Sequence, residues 1–403
     1  MNPLRYYSEE DSHKVLFDRQ SHFTVARHFR VRNRTSQSFP NPQPRSTEKE
    51  KVVSLCAKYF LTGKTMFYRL KKGLMCRALE KRNKEKPFDY SYAENFTLDG
   101  ETDALLNNSY YFSAHSGEMS FFARLGKRVH EDETWFALYL EGKLYSLKQE
   151  FFRSGESPLI VEKDGDKWTL SFRGVLNEKD QVSFGATFTP KQTPIDFTSN
   201  MPPERMASAI ANEKWSKAFF NGLQNVSGQC HYEQEGVLEG QLTLNVKTMD
   251  FSLPCVRDHS FGKRDWNYMN NHLWLMAVSS SRQFNYSLVS YPVITALEVG
   301  NYRNESGMHY MMQADLDLQQ LGKGSIPQEL SFTVLLDNQQ AIKVQAEVLT
   351  GITYHFKNGQ YILHENIAEF RIDGQVCRGI LEIGFNSESE RFFNGRDLIG
   401  IKR

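Results

Sequence analysis

The feature that most constrains the fold is a long succession of short strand patterns separated by turns, which begins near residue 90. Two examples, residues 168–173 and 182–188, alternate apolar and polar side chains, and turn residues such as Asp164-Gly165-Asp166 stand between such runs. Short strands at regular spacing are typical of antiparallel sandwiches and barrels, whereas a parallel sheet needs a helix between successive strands. The sequence therefore predicts an all-β protein.

The β pattern is too long for one small barrel. It extends over about 310 residues, and chains of that length are usually divided into more than one domain. We therefore predict two tandem antiparallel β-barrel or sandwich domains, residues 87–245 and 246–403. One interruption, residues 202–223, begins with Pro202-Pro203 and is predicted to be a helical insertion in the first domain.

Charge divides the chain near Lys86. The whole chain has 49 Lys and Arg and 48 Asp and Glu, but residues 1–86 hold 20 basic and 8 acidic residues, a net charge of +12. The remainder holds 29 basic and 40 acidic residues, a net charge of −11. We predict a disordered or extended basic arm over residues 1–46 and a basic helical leader over residues 47–86. The leader either packs on the acidic body or contacts an anionic membrane surface.

Several classes of function are disfavoured because their motifs are missing. The sequence has no GxGxxG, GxxxxGK[ST] or GxSxG motif, which argues against nucleotide binding and α/β-hydrolase chemistry. Its five cysteines show no CxxC spacing, which predicts reduced thiols and no metal site. We expect no cofactor and no nucleic-acid partner. The lack of a signal-peptide pattern predicts a cytoplasmic protein, with peripheral membrane contact through residues 47–86 as an alternative.

Polar chemistry is concentrated in one segment, Arg257-Asp258-His259-Ser260-Phe261-Gly262-Lys263-Arg264-Asp265-Trp266. So many charges cannot all enter an ordinary core, because unpaired buried charge is costly. In an extended strand Arg257 and His259 share one face, with Asp258 and Ser260 on the other. A Ser-His-Asp triad is disfavoured, because neighbours on one strand cannot form its relay.

Two interpretations of this segment remain open. In the first, Asp258 or His259 acts as a general acid or base on a bound ligand, and Arg257 adjusts its pKa. In the second, the charged residues form a buried ionic clasp between the two domains, with Trp266 packed over it. The upstream segment His231-Tyr232-Glu233-Gln234 is a further candidate, in which Tyr232 or Glu233 serves either catalysis or plain cross-strand hydrogen bonding.

These residues also carry a family resemblance. Residues 257–266 resemble the RDHSxGxRDW signature of the AttH/carotenoid 1,2-hydratase-like superfamily, and Tyr232-Glu233-Gln234 with Val237-x-x-Gly240 matches a second pattern of that superfamily. The final strand patterns, residues 369–374 and 379–382, are similar as well. The resemblance covers roughly residues 85–403, and the helical insertion is most similar to the animal branch found upstream of phosphoenolpyruvate-synthase-like phosphotransferase domains.

The resemblance implies two tandem lipocalin-like β-barrel domains that enclose a ligand. Members include hydratases of carotenoid or prenylated phenolic substrates and fungal cyclases of the Diels–Alder type. The motif is specific for the superfamily and not for one of these activities.

We therefore carry three hypotheses of function. The first is a lyase- or isomerase-type enzyme that hydrates or cyclises an apolar unsaturated small molecule, with Asp258, His259 and Arg257 as the catalytic group. The second is a non-catalytic carrier of a lipid, polyene or isoprenoid, because barrel interiors hold such ligands without chemistry. The third is an interaction module in which the charged segment is only a clasp. The residues expected to contact the ligand are Tyr232, Glu233, Phe261, Asp265, Trp266 and Trp274.

Overall fold

The architecture was analysed in a computed structural model of the chain. The structure describes residues 66–147, 150–227, 229–316 and 326–389. The predicted basic arm, and the part of the predicted leader before residue 66, lie outside the described residues. Described residues of the leader form one helix, α1, Met66–Glu85.

The other helices are α2 (Tyr90–Glu94), α3 (Pro203–Asn212) and α4 (Lys217–Ser227). The first eleven strands are β1 (Leu106–His115), β2 (Met119–Arg128), β3 (Glu131–Leu140), β4 (Lys143–Ser146), β5 (Phe151–Arg153), β6 (Leu159–Asp164), β7 (Lys167–Leu176), β8 (Asp180–Pro190), β9 (Ile195–Asp196), β10 (Gln229–Leu244) and β11 (Lys247–Lys263). The remaining strands are β12 (Asn271–Val278), β13 (Gln283–Ser290), β14 (Leu297–Asn304), β15 (Gly307–Ala314), β16 (Glu329–Leu336), β17 (Ala341–Phe356), β18 (Tyr361–Ile372) and β19 (Gln375–Asn386).

Strands β1–β11 form one antiparallel sheet, whose central order is β4-β3-β2-β1-β11-β10-β8-β7-β6. Strand β8 shows how the sequence specifies its register. Val182, Phe184 and Phe188 are buried and alternate with exposed Gln181 and Ser183, which is the period of two expected for a strand with one core face. The sheet curves around an aromatic core in which Phe136 stacks on Phe172 at 3.9 Å between ring centroids.

Strands β12–β19 close into an antiparallel barrel of eight strands within the described residues. Its interior is filled by apolar side chains, among them Leu273, Leu275 and Phe284. Every residue of β12 is buried, which explains its nearly continuous apolar sequence. Odd-numbered residues of β12 point into the barrel, while Trp274, Met276 and Val278 belong to a second core between the barrel and the first sheet. We call this contact region the junction.

The prediction of an all-β protein of two antiparallel units is confirmed. A helix pair, α3 and α4, occupies the region of the predicted helical insertion. The change from one sheet to the other differs from the expected position at residue 246. Strand β11 starts at Lys247 but pairs with β10 and β1, so the sheets change over between Lys263 and Asn271. The reason is that residues 245–246 form a tight hairpin turn, with Asn245 at φ 56°, and not an interdomain link.

Candidate functional site

The charged segment lies on β11, and strand alternation sends its side chains to opposite faces as predicted. Arg257 and His259 point to the aromatic core of the first sheet, where the Arg257 guanidinium lies 4.7 Å from the Trp168 ring centroid and His259 stacks on Tyr110 at 4.4 Å. Asp258 points the other way, as does its neighbour Val256, which belongs to the junction core. The three predicted catalytic residues are therefore divided between two sites.

Arg257 forms a buried clasp to the short helix α2. Its Nη2 donates to Glu94 Oε1 at 2.5 Å and to Gln234 Oε1 at 2.8 Å, and the side chain is almost completely buried. The guanidinium is sandwiched by the Trp168 and Tyr232 rings, a cation–π arrangement. The clasp thus joins α2 to the first sheet, and it does not join the two sheets to each other.

His259 is held on both ring nitrogens. The Asn108 amide donates to the Phe96 carbonyl oxygen at 2.8 Å, which turns Asn108 Oδ1 toward His259 Nε2 at 2.7 Å. Nε2 therefore carries the proton, and Nδ1 accepts from the Tyr232 hydroxyl at 2.5 Å. Burial, with the Arg257 charge, lowers the pKa of His259 well below its usual range. The ring is a neutral, fully hydrogen-bonded group with no nitrogen left for a ligand.

A row of polar residues crosses the first sheet on the face that meets the barrel. Tyr111 of β1 pairs with Asp258 of β11, which pairs with Glu233 of β10. Glu233 accepts two hydrogen bonds from the Asn285 amide of the barrel strand β13, at 2.7 and 2.8 Å. Burial raises the pKa of Glu233, and the charge of Asp258 adds to the effect.

His231 stands beside this row. Its Nε2 lies 3.3 Å from Asp258 Oδ2 and 3.6 Å from Glu233 Oε1. Burial by itself would lower the pKa of His231, but the two carboxylates outweigh that effect and raise it. The two carboxylates therefore favour the protonated form of His231.

A second row faces the first across the junction. Trp274 of β12 pairs with Glu382 of β19, which pairs with Glu365 of β18. The Tyr111 hydroxyl donates to Glu365 Oε1 and so connects the two rows. We call the six residues of these rows the junction site: Tyr111, Asp258, Glu233, Trp274, Glu382 and Glu365.

The two glutamates of the junction site form a buried carboxyl pair. Burial raises the pKa of Glu365 well above its usual range, and the adjacent Glu382 raises it further. Burial also raises the pKa of Glu382. Since two like charges in one dry site cannot both persist, at least one carboxyl group keeps its proton at pH values where an exposed glutamate has lost it.

His272 orients this pair. Its Nε2 contacts Glu382 Oε1, and its Nδ1 lies 2.5 Å from the Tyr361 hydroxyl. Burial lowers the pKa of His272 to about 4. A neutral imidazole between a phenol and a carboxyl group carries one proton. The charge state of the glutamates therefore decides which proton transfers the site can carry out.

Several polar atoms at the junction are buried and have no hydrogen-bond partner among the described residues. They are Asp258 Oδ1, Glu365 Oε2, and the indole Nε1 atoms of Trp135, Trp266 and Trp274. Buried polar atoms are nearly always hydrogen-bonded, because an unpaired one costs about 1–3 kcal/mol. Two acceptors and three donors that lack partners in this buried region fit a site that binds a small molecule or water.

The remaining predicted ligand contacts are distributed unevenly. Trp266 belongs to the junction core and stacks on Phe356 at 4.7 Å. Tyr232 and Phe261 lie on the opposite face of the sheet, where Phe261 stacks on Phe96 at 4.4 Å. Asp265 is half-buried in the link that follows β11. The junction site therefore contains Asp258, Glu233 and Trp274 from the prediction, with Trp266 beside it.

Glu365, Glu382 and Tyr111 were not expected from the sequence as site residues. A signal exists for Glu382, which is the single acid of β19 and lies in the apolar run Ile380-Leu381-Glu382-Ile383. In the described part of the chain, no three His, Cys, Asp or Glu side chains are grouped as a metal ion would require. No helix in the same residues is long and apolar enough to cross a membrane.

Comparison with known families shows which family the chain belongs to. A family model described as a domain of unknown function, DUF7064, matches residues 98–387. The chain belongs to the DUF7064 family. No curated protein matches it in sequence.

Solved structures are similar to this DUF7064 protein in fold. An AttH-like protein from Nitrosomonas europaea aligns with a TM-score of 0.52 and 13% identity, covering 74% of this chain and 97% of that one. Kievitone hydratase from Nectria haematococca aligns with a TM-score of 0.47 and 10% identity, covering 75% and 94%. CghA with Sch210972 aligns with a TM-score of 0.44 and 8% identity, covering 70% and 89%.

The likeness to the AttH-like protein, together with the two antiparallel units, confirms the predicted fold of tandem lipocalin-like β-domains. The predicted resemblance to that lipocalin-like group is confirmed at this level. The closer relation to the animal branch stays a prediction.

Proposed function

We propose that this DUF7064 protein is a lyase- or isomerase-type enzyme that hydrates or cyclises an apolar, unsaturated small molecule at the junction site. The observation that carries the proposal is the carboxyl pair, Glu365 and Glu382, which lie opposite each other on β18 and β19 and are buried among aromatic rings. An acid that stays protonated near neutral pH is what addition of a proton to a carbon–carbon double bond requires.

The first step in hydration is transfer of a proton from Glu365 to one alkene carbon. Oε2 of Glu365 is the donor, since Oε1 already accepts from Tyr111. The alkene π electrons form the new C–H bond, and positive charge develops on the second carbon. The Trp274 ring, which lies across the strands from Glu382, offers a π face that stabilises such a cation.

The second step is addition of water to that cation. Asp258 Oδ1 is available to orient the water and to accept its proton, and His231 beside Oδ2 shares the resulting proton. In a cyclisation the same acid and indole N–H donors polarise the substrate while the enclosed site holds its reacting ends together. In both reactions Asp258 keeps the role of an acid–base residue, whereas Arg257 and His259 support the fold of the first sheet.

The substrate class follows from the surroundings of the junction site. The core around it is built of large apolar side chains, including Phe122, Met276 and Ile367, and only a few polar atoms point inward. Such a lining favours polyene, isoprenoid or prenylated aromatic molecules with one or two hydroxyl or carbonyl groups for the indole donors.

The test is incubation of purified protein with defined polyenes, isoprenoid alcohols and prenylated phenols, followed by mass spectrometry. Hydration adds the mass of one water, and cyclisation changes retention time at constant mass. We expect Glu365→Gln, Glu382→Gln and Asp258→Asn each to lower turnover by about 100-fold or more. Glu347→Gln, which changes an exposed carboxyl group on β17, is the matched control and should keep wild-type turnover.

Two outcomes would contradict the proposal. Full turnover by a Glu365→Gln/Glu382→Gln double variant would exclude the carboxyl pair as the acid. A ligand that co-purifies and is released unaltered, with no product from any substrate, would instead support the alternative of a carrier for a lipid, polyene or isoprenoid. Native mass spectrometry of freshly purified protein distinguishes these results.

A further inference from the structure

A groove of about 350 Å³ opens at one end of the junction. Its lining includes Val278 of the junction core and His115 at the end of β1. Although His115 borders the groove, its side chain is 98% buried, with a relative exposure of 2%. Its Nδ1 has no hydrogen-bond partner among the described residues, so a buried acceptor is left at the groove wall.

Polar side chains lead from His115 to the carboxyl pair along one face of β1. His115 Nε2 lies 2.5 Å from Ser113 Oγ. Tyr111, two residues before Ser113, donates to Glu365 Oε1. Residues 111, 113 and 115 face the same side because successive strand residues alternate. The three side chains therefore form a row from the groove to the junction site.

The donors in this connection all point toward Glu365. Tyr111 gives its only proton to the carboxyl oxygen, so toward Ser113 its oxygen can act only as an acceptor. Ser113 has then used its own proton and accepts from His115 Nε2. Burial, together with the charge of Arg378, lowers the pKa of His115 to about 3. The imidazole is thus neutral, with a proton on Nε2 and an empty Nδ1, which is the state that can take a proton from one side and pass another on.

We propose that His115, Ser113 and Tyr111 form a proton relay that reloads the Glu365–Glu382 pair from the groove. A proton from groove water binds His115 Nδ1, and the Nε2 proton moves to Ser113 Oγ. The Ser113 hydroxyl proton moves to Tyr111, and the Tyr111 hydroxyl proton moves to Glu365 Oε1. One proton enters at His115 Nδ1, and one proton arrives at Glu365 Oε1. The relay resets when the hydroxyl groups rotate, the imidazole loses its Nδ1 proton to water and regains one on Nε2, and the Glu365 carboxyl group turns its new proton toward the substrate.

The relay rests on the proposed function, since it serves the acid that the function requires. Glu365 is fully buried and has no direct contact with bulk water. After it gives a proton to substrate, a closed site needs a path by which that proton is replaced. His115, Ser113 and Tyr111 are therefore positioning residues for proton supply, and none of the three needs to touch the reacting carbon.

The experiment needs no substrate and uses the full chain. Infrared spectroscopy records the C=O stretch of protonated carboxyl groups, and Glu365→Gln identifies the band that belongs to the pair. After rapid transfer to D₂O, the shift of this band gives the rate at which the carboxyl proton exchanges. We expect Ser113→Ala and Tyr111→Phe to slow the exchange about tenfold or more, because each removes one hydroxyl from the relay.

Two variants serve as controls. Ser120→Ala removes another fully buried hydroxyl, on the strand residue directly opposite His115, and that hydroxyl has no hydrogen-bond partner among the described residues. It should exchange at the wild-type rate. Ser113→Thr keeps the hydroxyl and should restore exchange relative to Ser113→Ala. Thermal unfolding of every variant reports whether the fold is retained.

The relay would be overturned if the carboxyl proton exchanged at the wild-type rate in both Ser113→Ala and Tyr111→Phe. It would also be overturned if the wild-type spectrum had no protonated-carboxyl band. Neither result depends on turnover. If the variants slow exchange but no substrate is converted, the relay stands and the proposed enzyme activity fails. If substrates are converted and exchange is unaffected, the activity stands and the relay fails.

Discussion

At the scale of single residues, the junction site depends on close contacts that leave no room for a side chain. Gly384 of β19 lies directly across from His272. A methyl group there would be 2.3 Å from His272 Cε1 and 2.6 Å from the Tyr361 hydroxyl. Glycine at this position leaves room for His272 to bridge Tyr361 and Glu382. The position of the carboxyl pair therefore depends on Gly384.

We expect Gly384→Ala to lower the free energy of unfolding by about 1–3 kcal/mol, because overpacking forces His272 out of its place. The measurement is urea unfolding, with the substrate assay alongside. Gly185→Ala is the matched control, since Gly185 is also within a strand but an added Cβ meets nothing within 4 Å. Equal free energies of unfolding for the two variants would show that His272 can move without a loss of stability.

At the scale of elements, the short helix α2 is held to the first sheet by one buried ion pair. Its N-terminus is capped by Asp89, which accepts from the Tyr92 amide at 3.0 Å. A helix of five residues is not stable by itself. The contact from Glu94 to Arg257, with Lys163 at 3.6 Å from the same carboxylate, supplies the tertiary anchor. This contact differs from the predicted clasp between the two domains, because it joins α2 to the first sheet.

We expect Glu94→Gln to lower the free energy of unfolding by about 2–3 kcal/mol, because Arg257 is left buried without an anionic partner. Hydrogen exchange across residues 88–96 should become faster. Glu118→Gln, at an exposed carboxyl group outside the clasp, should change neither. Unchanged exchange in Glu94→Gln would mean that the aromatic contacts of Phe88 and Tyr90 with Tyr232 hold α2 alone.

At the scale of the whole molecule, two sheets that each have an apolar core meet through a mixed polar and aromatic layer. The Glu235–Arg303 ion pair and the Glu233–Asn285 hydrogen bonds connect β10 to the barrel. Buried carboxyl groups in such a layer make stability depend on pH. The carboxyl pair and His231 have raised pKa values, whereas His115, His259 and His272 have lowered ones.

The signs of these pKa shifts define the pH range in which the free energy of unfolding changes. The lowered histidine pKa values make the fold more stable as pH rises toward the ordinary histidine value of 6.5, and they contribute no further change above it. A raised carboxyl pKa means that the folded state holds more protons than the unfolded chain above the ordinary glutamate value of 4.5. Its stabilisation is complete below that value and is lost as pH rises through the folded pKa.

We therefore expect the free energy of unfolding to fall as pH rises above the ordinary histidine value of 6.5, where the raised pKa values of the carboxyl pair and of His231 act in the same direction. Each pKa unit of elevation contributes about 1.4 kcal/mol. The Glu365→Gln/Glu382→Gln variant should show a shallower fall, measured by urea unfolding at several pH values. A Glu347→Gln control should keep the wild-type slope. A wild-type slope in the double variant would contradict the assignment of protons to the pair.

The sequence by itself determined the all-β class, the pair of tandem units, the helical insertion and the two faces of residues 257–260, because these follow from a period of two and from turn residues. It also directed attention to Asp258, Glu233 and Trp274. Only the tertiary structure decided that Arg257 and His259 serve the first sheet, and that Glu365 and Glu382 complete the site. The reason is that the β10–β11 hairpin and the β18–β19 hairpin meet only after the two sheets pack together, and an acid such as Glu382 in an apolar run does not reveal which groups it will face.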